Sequence, residues 1–284
     1  MKIVEQAVFD EERALYGACD TVVRDCRFEG EADGESALKE SRRVTVDGCY
    51  FALRYPFWHC KELSVKNTEM TDTCRAPLWY SENIVISDAR LFGTKALREC
   101  QTVKIENTRI CSDEFGWSVA DLRMTDSEAE GAYFLLRAKK LFLKNLRFSG
   151  KYSFQYIENA VLENCVLDTK DAFWHAKNVT VRDSVVRGEY LGWYSEGLTL
   201  IRCKITGTQP LCYAKRLRLI DCEMEAADLA FEKSSVRANV FGHIDSIKNP
   251  RRGKITADSV GEIIRDERVS HGAVVIKQTK GELQ

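Results

Sequence analysis

Apolar and polar positions alternate along most of this chain in short runs that return at a fixed distance. Val44 and Val46, Leu63 and Val65, Ile84 and Ile86, Val103 and Ile105, Leu141 and Leu143, Val179 and Val181, Leu198 and Leu200, and Leu217 and Leu219 are apolar pairs with one residue between them. This period of two predicts short strands with one buried face. Two residues beyond the pairs runs a column of Asn67, Asp88, Asn107, Asp126, Asn145, Asn164, Asp183, Arg202 and Asp221; after a first step of 21 residues, every step is 19. Asp25 and Gly48 extend it upstream with one insertion. Asn, Asp and Gly tolerate a left-handed backbone and bond their own turn, so the column predicts a bend. Three residues later come Phe28, Phe51, Met70, Leu91, Ile110, Phe148, Leu167, Val186, Ile205 and Met224, the expected inward residues of a second short strand.

A repeat of this length whose units cannot bury a core alone means a solenoid. With strands and no helical segment in each repeat, a leucine-rich repeat does not fit. The expected fold is all-β, a right-handed parallel β-helix of about eleven coils. Residues 1–19 are expected to form an N-terminal cap, helical near Phe9 to Tyr16, residues 20–233 the β-helix, and residues 234–284 irregular terminal coils, a cap and a tail. Directly after the bend stand Cys26, Cys49, Thr68, Ala89, Thr108, Ser127, Leu146, Cys165, Ser184, Cys203 and Cys222, nearly all small, which accounts for five of the eleven cysteines as thiols packed between coils. Cys203 and Cys222 fall on successive coils, where a spacing of about 4.8 Å permits a bridge, yet free thiols are expected in a cytosolic chain.

All five tryptophans share another register, Trp58, Trp79, Trp117, Trp174 and Trp193, which Arg98 also occupies. The next residue of each coil is His59, Tyr80, Glu99, Ser118, Arg137, Tyr156, His175, Tyr194 or Tyr213. One row should face in and one out, but alternation does not decide which, because bends interrupt it. Stacked inside, the tryptophans would be an aromatic ladder of the core; outside, they would offer flat faces to sugar rings, with Tyr and His tips for hydrogen bonds. Trp58, His59, Trp79, Tyr80, Arg98, Trp117, Tyr152, Tyr156, Trp174, Tyr190, Trp193 and Tyr194 are therefore the candidate ligand-binding residues. Three residues before the tryptophan register, Asp171 is flanked by Tyr152 and Tyr190 on adjacent coils, with Glu189 diagonal to it. Asp171 and Glu189 are a candidate acid and base pair, assisted by His175, because two carboxylates on opposite sides of a glycosidic bond suffice for its hydrolysis. Solvated charges on a coil corner are the plainer alternative.

Composition narrows the partners. Forty-two basic against 43 acidic residues leave a net charge of -1, so no global field draws in nucleic acid or an anionic membrane. No Cys-x-x-Cys or His-Glu-x-x-His spacing occurs, and neither a metal nor a cofactor is expected. The first residues contain no continuous apolar stretch for a signal peptide or membrane span, so a cytoplasmic location is expected.

The segments Arg54 to His59, Cys74 to Ser81, Lys95 to Cys100, Gly150 to Tyr156, Asp171 to Ala176, Gly188 to Ser195, Gly207 to Leu211 and Gly242 to Ser246 resemble a bacterial family, number 3737 among the domains of unknown function. The resemblance covers roughly residues 5 to 265 and implies the fold of the pectate-lyase-like superfamily, with no activity or site residues to carry over. The Asn-Thr-Asp, Asp-Asp, Gly-His-Gly and Arg-Ile-Lys series of polygalacturonases is absent, as is the Trp-Ile-Asp-His stretch of pectate lyases. Function is thus expected to be binding or processing of a small or oligomeric saccharide; a non-catalytic structural or interaction solenoid, with self-association, is the alternative.

Overall fold

A computed structural model describes residues 2–267 and 273–279. Two compact units divide the chain, Met1–Phe142 and Leu143–Gln284. In the first, strands Lys2–Glu5, Cys19–Arg24, Arg42–Asp47, Lys61–Lys66, Glu82–Ser87, Gln101–Glu106 and Ala120–Thr125 pair in parallel, each with the next. The register sets Val44 beside Leu63, Leu63 beside Ile84, and Ile84 beside Val103. Shorter strands, Tyr50–Phe51, Glu69–Met70, Arg90–Leu91 and Arg109–Cys111, make a second parallel stack. The second unit repeats both, with Glu158–Glu163, Lys177–Arg182, Thr199–Ile201 and Leu217–Glu225 in one stack and Arg147–Lys151, Val166–Lys170, Val185–Arg187 and Lys204–Thr206 in the other. This is a parallel β-helix, and among the described residues there is no helix.

The apolar pairs and the residues three past the bend are buried throughout, so each coil supplies a slice of core that stacks on the next. Phe28 lies on Phe51 with ring centroids 4.3 Å apart in the first unit, and Phe154 on Phe173 at 5.0 Å in the second. The bend column is left-handed at every position, with φ from +46° at Asn107 to +66° at Gly48. Its side chains also join coil to coil: Asn107 donates to the Asp88 carboxylate at 2.6 Å and Asn164 to the Asn145 carbonyl oxygen at 2.7 Å. The small residues after the bend are all buried, and the eleven cysteines are free thiols. Burial pushes the Cys60 and Cys212 thiols up to about 12.

Three expectations change. The helix near Phe9 to Tyr16 is absent: Val8–Phe9 is a strand in register with Arg27–Phe28, and Arg13 N and Leu15 N donate to Glu35 O and Ala37 O, because pairing with the next coil outweighs local helix preference. The turns number about fourteen rather than eleven. Residues 234–264 are more regular than expected, because the coil changes length rather than dissolving: Ser235 pairs with Arg252, seventeen residues on, and Gly253 with Val274, twenty-one on. Residues 268–272 and 280–284 of the expected tail lie outside the described residues.

Candidate functional site

Each coil carries further left-handed positions that have no Asn or Gly preference. Tyr55, Ala76, Lys95, Glu114 and Tyr133 in the first unit and Tyr152, Asp171, Tyr190 and Gln209 in the second have φ between +46° and +58°. They form the corner that precedes the tryptophan register. At such a corner the carbonyl turns away from the interstrand ladder and needs another donor. The tryptophans provide it. The indole N–H of Trp58 donates to Ala76 O at 2.7 Å, Trp79 to Lys95 O at 2.8 Å, Trp117 to Tyr133 O at 2.9 Å, Trp174 to Tyr190 O at 2.7 Å and Trp193 to Gln209 O at 2.8 Å. Where the register holds Gln155 instead, its amide donates to Asp171 O at 3.0 Å.

These indoles are half-buried and stacked on one another. Trp58 and Trp79 are parallel with centroids 5.0 Å apart, and the Arg98 guanidinium fits between Trp79 and Trp117 at 5.0 Å from each ring. In the second unit Trp174 and Trp193 stack at 5.4 Å. The deepest position is instead one residue earlier, at Phe57, Leu78, Leu97, Phe154, Phe173 and Leu211. The question left open by alternation is answered by neither alternative: the tryptophans lie between core and solvent, and their polar edge is committed to the backbone.

The row after them is outermost, because its residues are left-handed too, His59, Tyr80, Tyr156, His175, Tyr194 and Tyr213 having φ between +54° and +59°. In the first unit His59 stacks on Tyr80 at 5.1 Å. In the second a longer ladder runs Tyr156, His175, Tyr194 and Tyr213, with successive centroids 4.8, 5.0 and 4.9 Å apart. Tyr156 and Tyr194 are 44% and 46% exposed. Stacking covers most ring faces and leaves the edges, a line of phenolic oxygens and imidazole nitrogens, toward solvent. Burial between two tyrosines, with Lys177 adding to it, lowers the His175 pKa, so its imidazole is neutral at pH 7. Burial and then Glu232 push the Tyr213 phenol up to about 12, and its hydroxyl donates to Glu232 at 3.3 Å.

Asp171 sits between Tyr152 and Tyr190 on neighbouring coils: Tyr152 N donates to Lys170 O, Asp171 N to Glu189 O, and Tyr190 N to Thr208 O. It is only 5% exposed, and its carboxylate has no hydrogen bond or ion pair among the described residues. Burial raises its pKa, Lys170 opposes this, and Glu189 adds to it. Glu189 itself is exposed and held by the Lys170 ammonium at 2.9 Å, while that ammonium also lies over the Tyr190 ring at 5.2 Å. Thus Asp171, Glu189, Tyr152 and Tyr190 come together at one corner, whereas His175 belongs to the aromatic ladder and makes no hydrogen bond to either carboxylate. Lys170 was missed in the sequence; Lys151, one coil earlier and likewise just ahead of a corner residue, was the available signal. Gly188 and Gly207 let successive coils pack backbone against backbone just ahead of this corner, since a Cβ would stand 2.1 and 2.2 Å from carbonyl oxygens of the preceding coil. Among the described residues no group of three His, Cys, Asp or Glu side chains is arranged to hold a metal, and no helix is long and apolar enough to cross a membrane.

Two structures of the surface adhesin PfbA of Streptococcus pneumoniae are similar to this chain. One has a TM-score of 0.50 at 7% identity, over 97% of this chain and 91% of that one. The other has a TM-score of 0.39 at 11% identity, over 93% and 76%. The A-module of the mannuronan C-5 epimerase AlgE4 of Azotobacter vinelandii gives a TM-score of 0.31 at 9% identity, over 92% and 91%. At such identities the likeness to the adhesin extends to the fold alone. No curated protein matches the chain. The model of the family described as Protein of unknown function (DUF3737) matches residues 2–277, almost the whole chain, and the protein belongs to that family.

Proposed function

We propose that this protein is a non-catalytic binding solenoid that takes a hydroxyl-rich, carbohydrate-like chain along the aromatic ladder of its second unit. The observation that carries this reading is the run Tyr156, His175, Tyr194 and Tyr213, four stacked rings at intervals of 4.8 to 5.0 Å with their polar edges outward. A repeating row of neutral donors and acceptors on a rigid sheet matches a ligand that repeats its hydroxyls, and its rigidity limits the entropy lost on binding. Exposed aromatic stripes of this extent are uncommon on surfaces without partners. Trp174 and Trp193 support the ladder from beneath, Trp193 meeting Tyr194 and Tyr213 edge to face. Neutral oligosaccharides titrated against intrinsic fluorescence test the proposal: Tyr194→Ala should weaken the best ligand about tenfold or more. Binding unchanged by Tyr194→Ala, or no ligand in the panel, overturns it.

A second reading, turnover of the glycan, is favoured by one observation. Two neighbouring carboxyl groups sit in unlike settings, Asp171 buried with a raised pKa and Glu189 exposed beside a lysine, and this is how one fold separates an acid from a base. Asp171→Asn that bound but no longer cleaved an oligosaccharide would establish it. Equal turnover by the variant would remove it.

A further inference from the structure

Between adjacent coils outward charges are opposed at many positions, and at others like charges meet in pairs, as Arg42 on Lys61 and Lys104 on Arg123. Lys61 meets Glu82 and Lys66 meets Asp47 in the first unit; in the second, Lys177 meets Glu158, Arg202 meets Asp183 and Lys204 meets Glu223. The strands Leu217–Glu225, Ser235–Phe241 and Arg252–Ala257 carry a longer run of like charge. Arg218 is registered on Arg237, and Arg237 on Lys254, so three cations follow one another across three strands. All three side chains are exposed, and none has an ion pair, hydrogen bond or aromatic contact among the described residues. Arg252 is a fourth cation without a partner, one strand position pair away from Lys254, while Arg216 is held by Glu196 at 3.2 Å. An open groove of 720 Å³ is lined by Arg216, Arg218, Arg237 and Arg252, and a second, of 750 Å³, by Arg218, Arg237 and Lys254.

Like charges placed directly opposite on neighbouring strands cost stability. A bound anion would repay that cost. The geometry points to a second binding site here, for a linear acidic glycan carrying one carboxylate per sugar. The cations repeat at the strand spacing of about 4.8 Å, close to the rise of one sugar ring. An extended acidic peptide presents same-side carboxylates at every second residue, about 6.8 Å apart, and is the competing occupant that the test includes. Single-stranded nucleic acid is held by aromatic stacking along its cationic groove, and no aromatic residue lines this one. Guanidinium groups accept carboxylates in two-pronged fashion, and the Thr256 hydroxyl on the same strand as Lys254 is placed to meet sugar hydroxyls. The overall charge of -1 hides this cluster, because the excess is local.

This site is on the strand face rather than on the Tyr and His ladder, and does not depend on it. The test measures binding of an oligogalacturonate to the full chain at low salt, beside a neutral oligosaccharide of equal length, polyglutamate and a single-stranded oligonucleotide. The acidic glycan should bind most tightly and weaken steeply with salt. Arg237→Gln should lower its affinity about tenfold and Arg237→Glu more, while neither alters binding of the neutral oligosaccharide. Since Arg237→Gln relieves repulsion between like charges, its melting temperature at low salt should match or exceed that of the parent, which separates lost binding from lost fold. No binding of the oligogalacturonate, equal binding by Arg237→Glu, or preference for polyglutamate or the oligonucleotide overturns the inference.

Discussion

At its corner, with φ of +56°, Asp171 adopts a left-handed backbone that Tyr152 and Tyr190 also adopt at greater steric cost. The backbone therefore suits an aspartate, but the burial of its carboxylate does not. A carboxyl whose pKa is higher in the folded than in the unfolded chain favours folding only while it is protonated. Its ionised form detracts from stability once pH rises above the unfolded value of about 4. Asp171→Asn keeps the left-handed preference and removes the charge, so it should raise the melting temperature at pH 7, with the gain disappearing as pH falls below about 4. A melting series from pH 3 to pH 8 checks this; an equal gain at both ends would mean that charge is not the cause. The bend column was legible because Asn, Asp and Gly announce a left-handed backbone. The corner and edge rows, with Tyr, Lys, Glu and His at φ near +57°, were not, because coil register rather than residue type imposes that conformation.

The strands were readable from the spacing of Val44 and Val46 or Leu198 and Leu200, since burial on one face is a property of alternation alone. What the indoles do was not readable from their spacing. Nothing in the interval of 19 distinguishes a core ladder from a sugar platform, and the answer came from the donor bond of each N–H to a corner carbonyl on the next coil. Gln155 performs the same task with an amide, which makes it the informative position. Gln155→Leu leaves Asp171 O without its donor and should destabilise the protein by about 1–3 kcal/mol in urea unfolding. Gln155→Trp restores an N–H in the manner of Trp174 and should lie within about 1 kcal/mol of the parent. If the two variants proved equally unstable, carbonyl capping would not be the role of this register. The helix expected near Phe9 to Tyr16 failed for a related reason: the local pattern allowed it, but Arg13 N and Leu15 N donate to Glu35 O and Ala37 O of the next coil instead.

A solenoid gains its stability from each coil and its nearest neighbours, so removing one whole coil should cost little more than that coil's own share. Deleting residues 177–195 joins Ala176 to Glu196, positions already linked by a hydrogen bond from Glu196 N to Ala176 O, and leaves Ala160 facing Leu198. The shortened chain should keep its β-type circular dichroism and melt cooperatively. A deletion of about half a coil, which moves core residues to the outer face, should not fold. Coil length also explains why Arg218, Arg237 and Lys254 escaped notice. They are separated by 19 and then 17 residues, so a search at constant period passes over this row of three cations.

The sequence by itself determined the repeat, the buried pairs and the bend, because each depends on short-range spacing that any coil must satisfy, and the wording of its segments pointed to the family. Only the tertiary structure decided which aromatic edges meet solvent and which charges lack partners. Orientation at a corner depends on left-handed residues that alternation does not report, and the neighbour of any charge is set by the length of the coil that brings the chain back beside it.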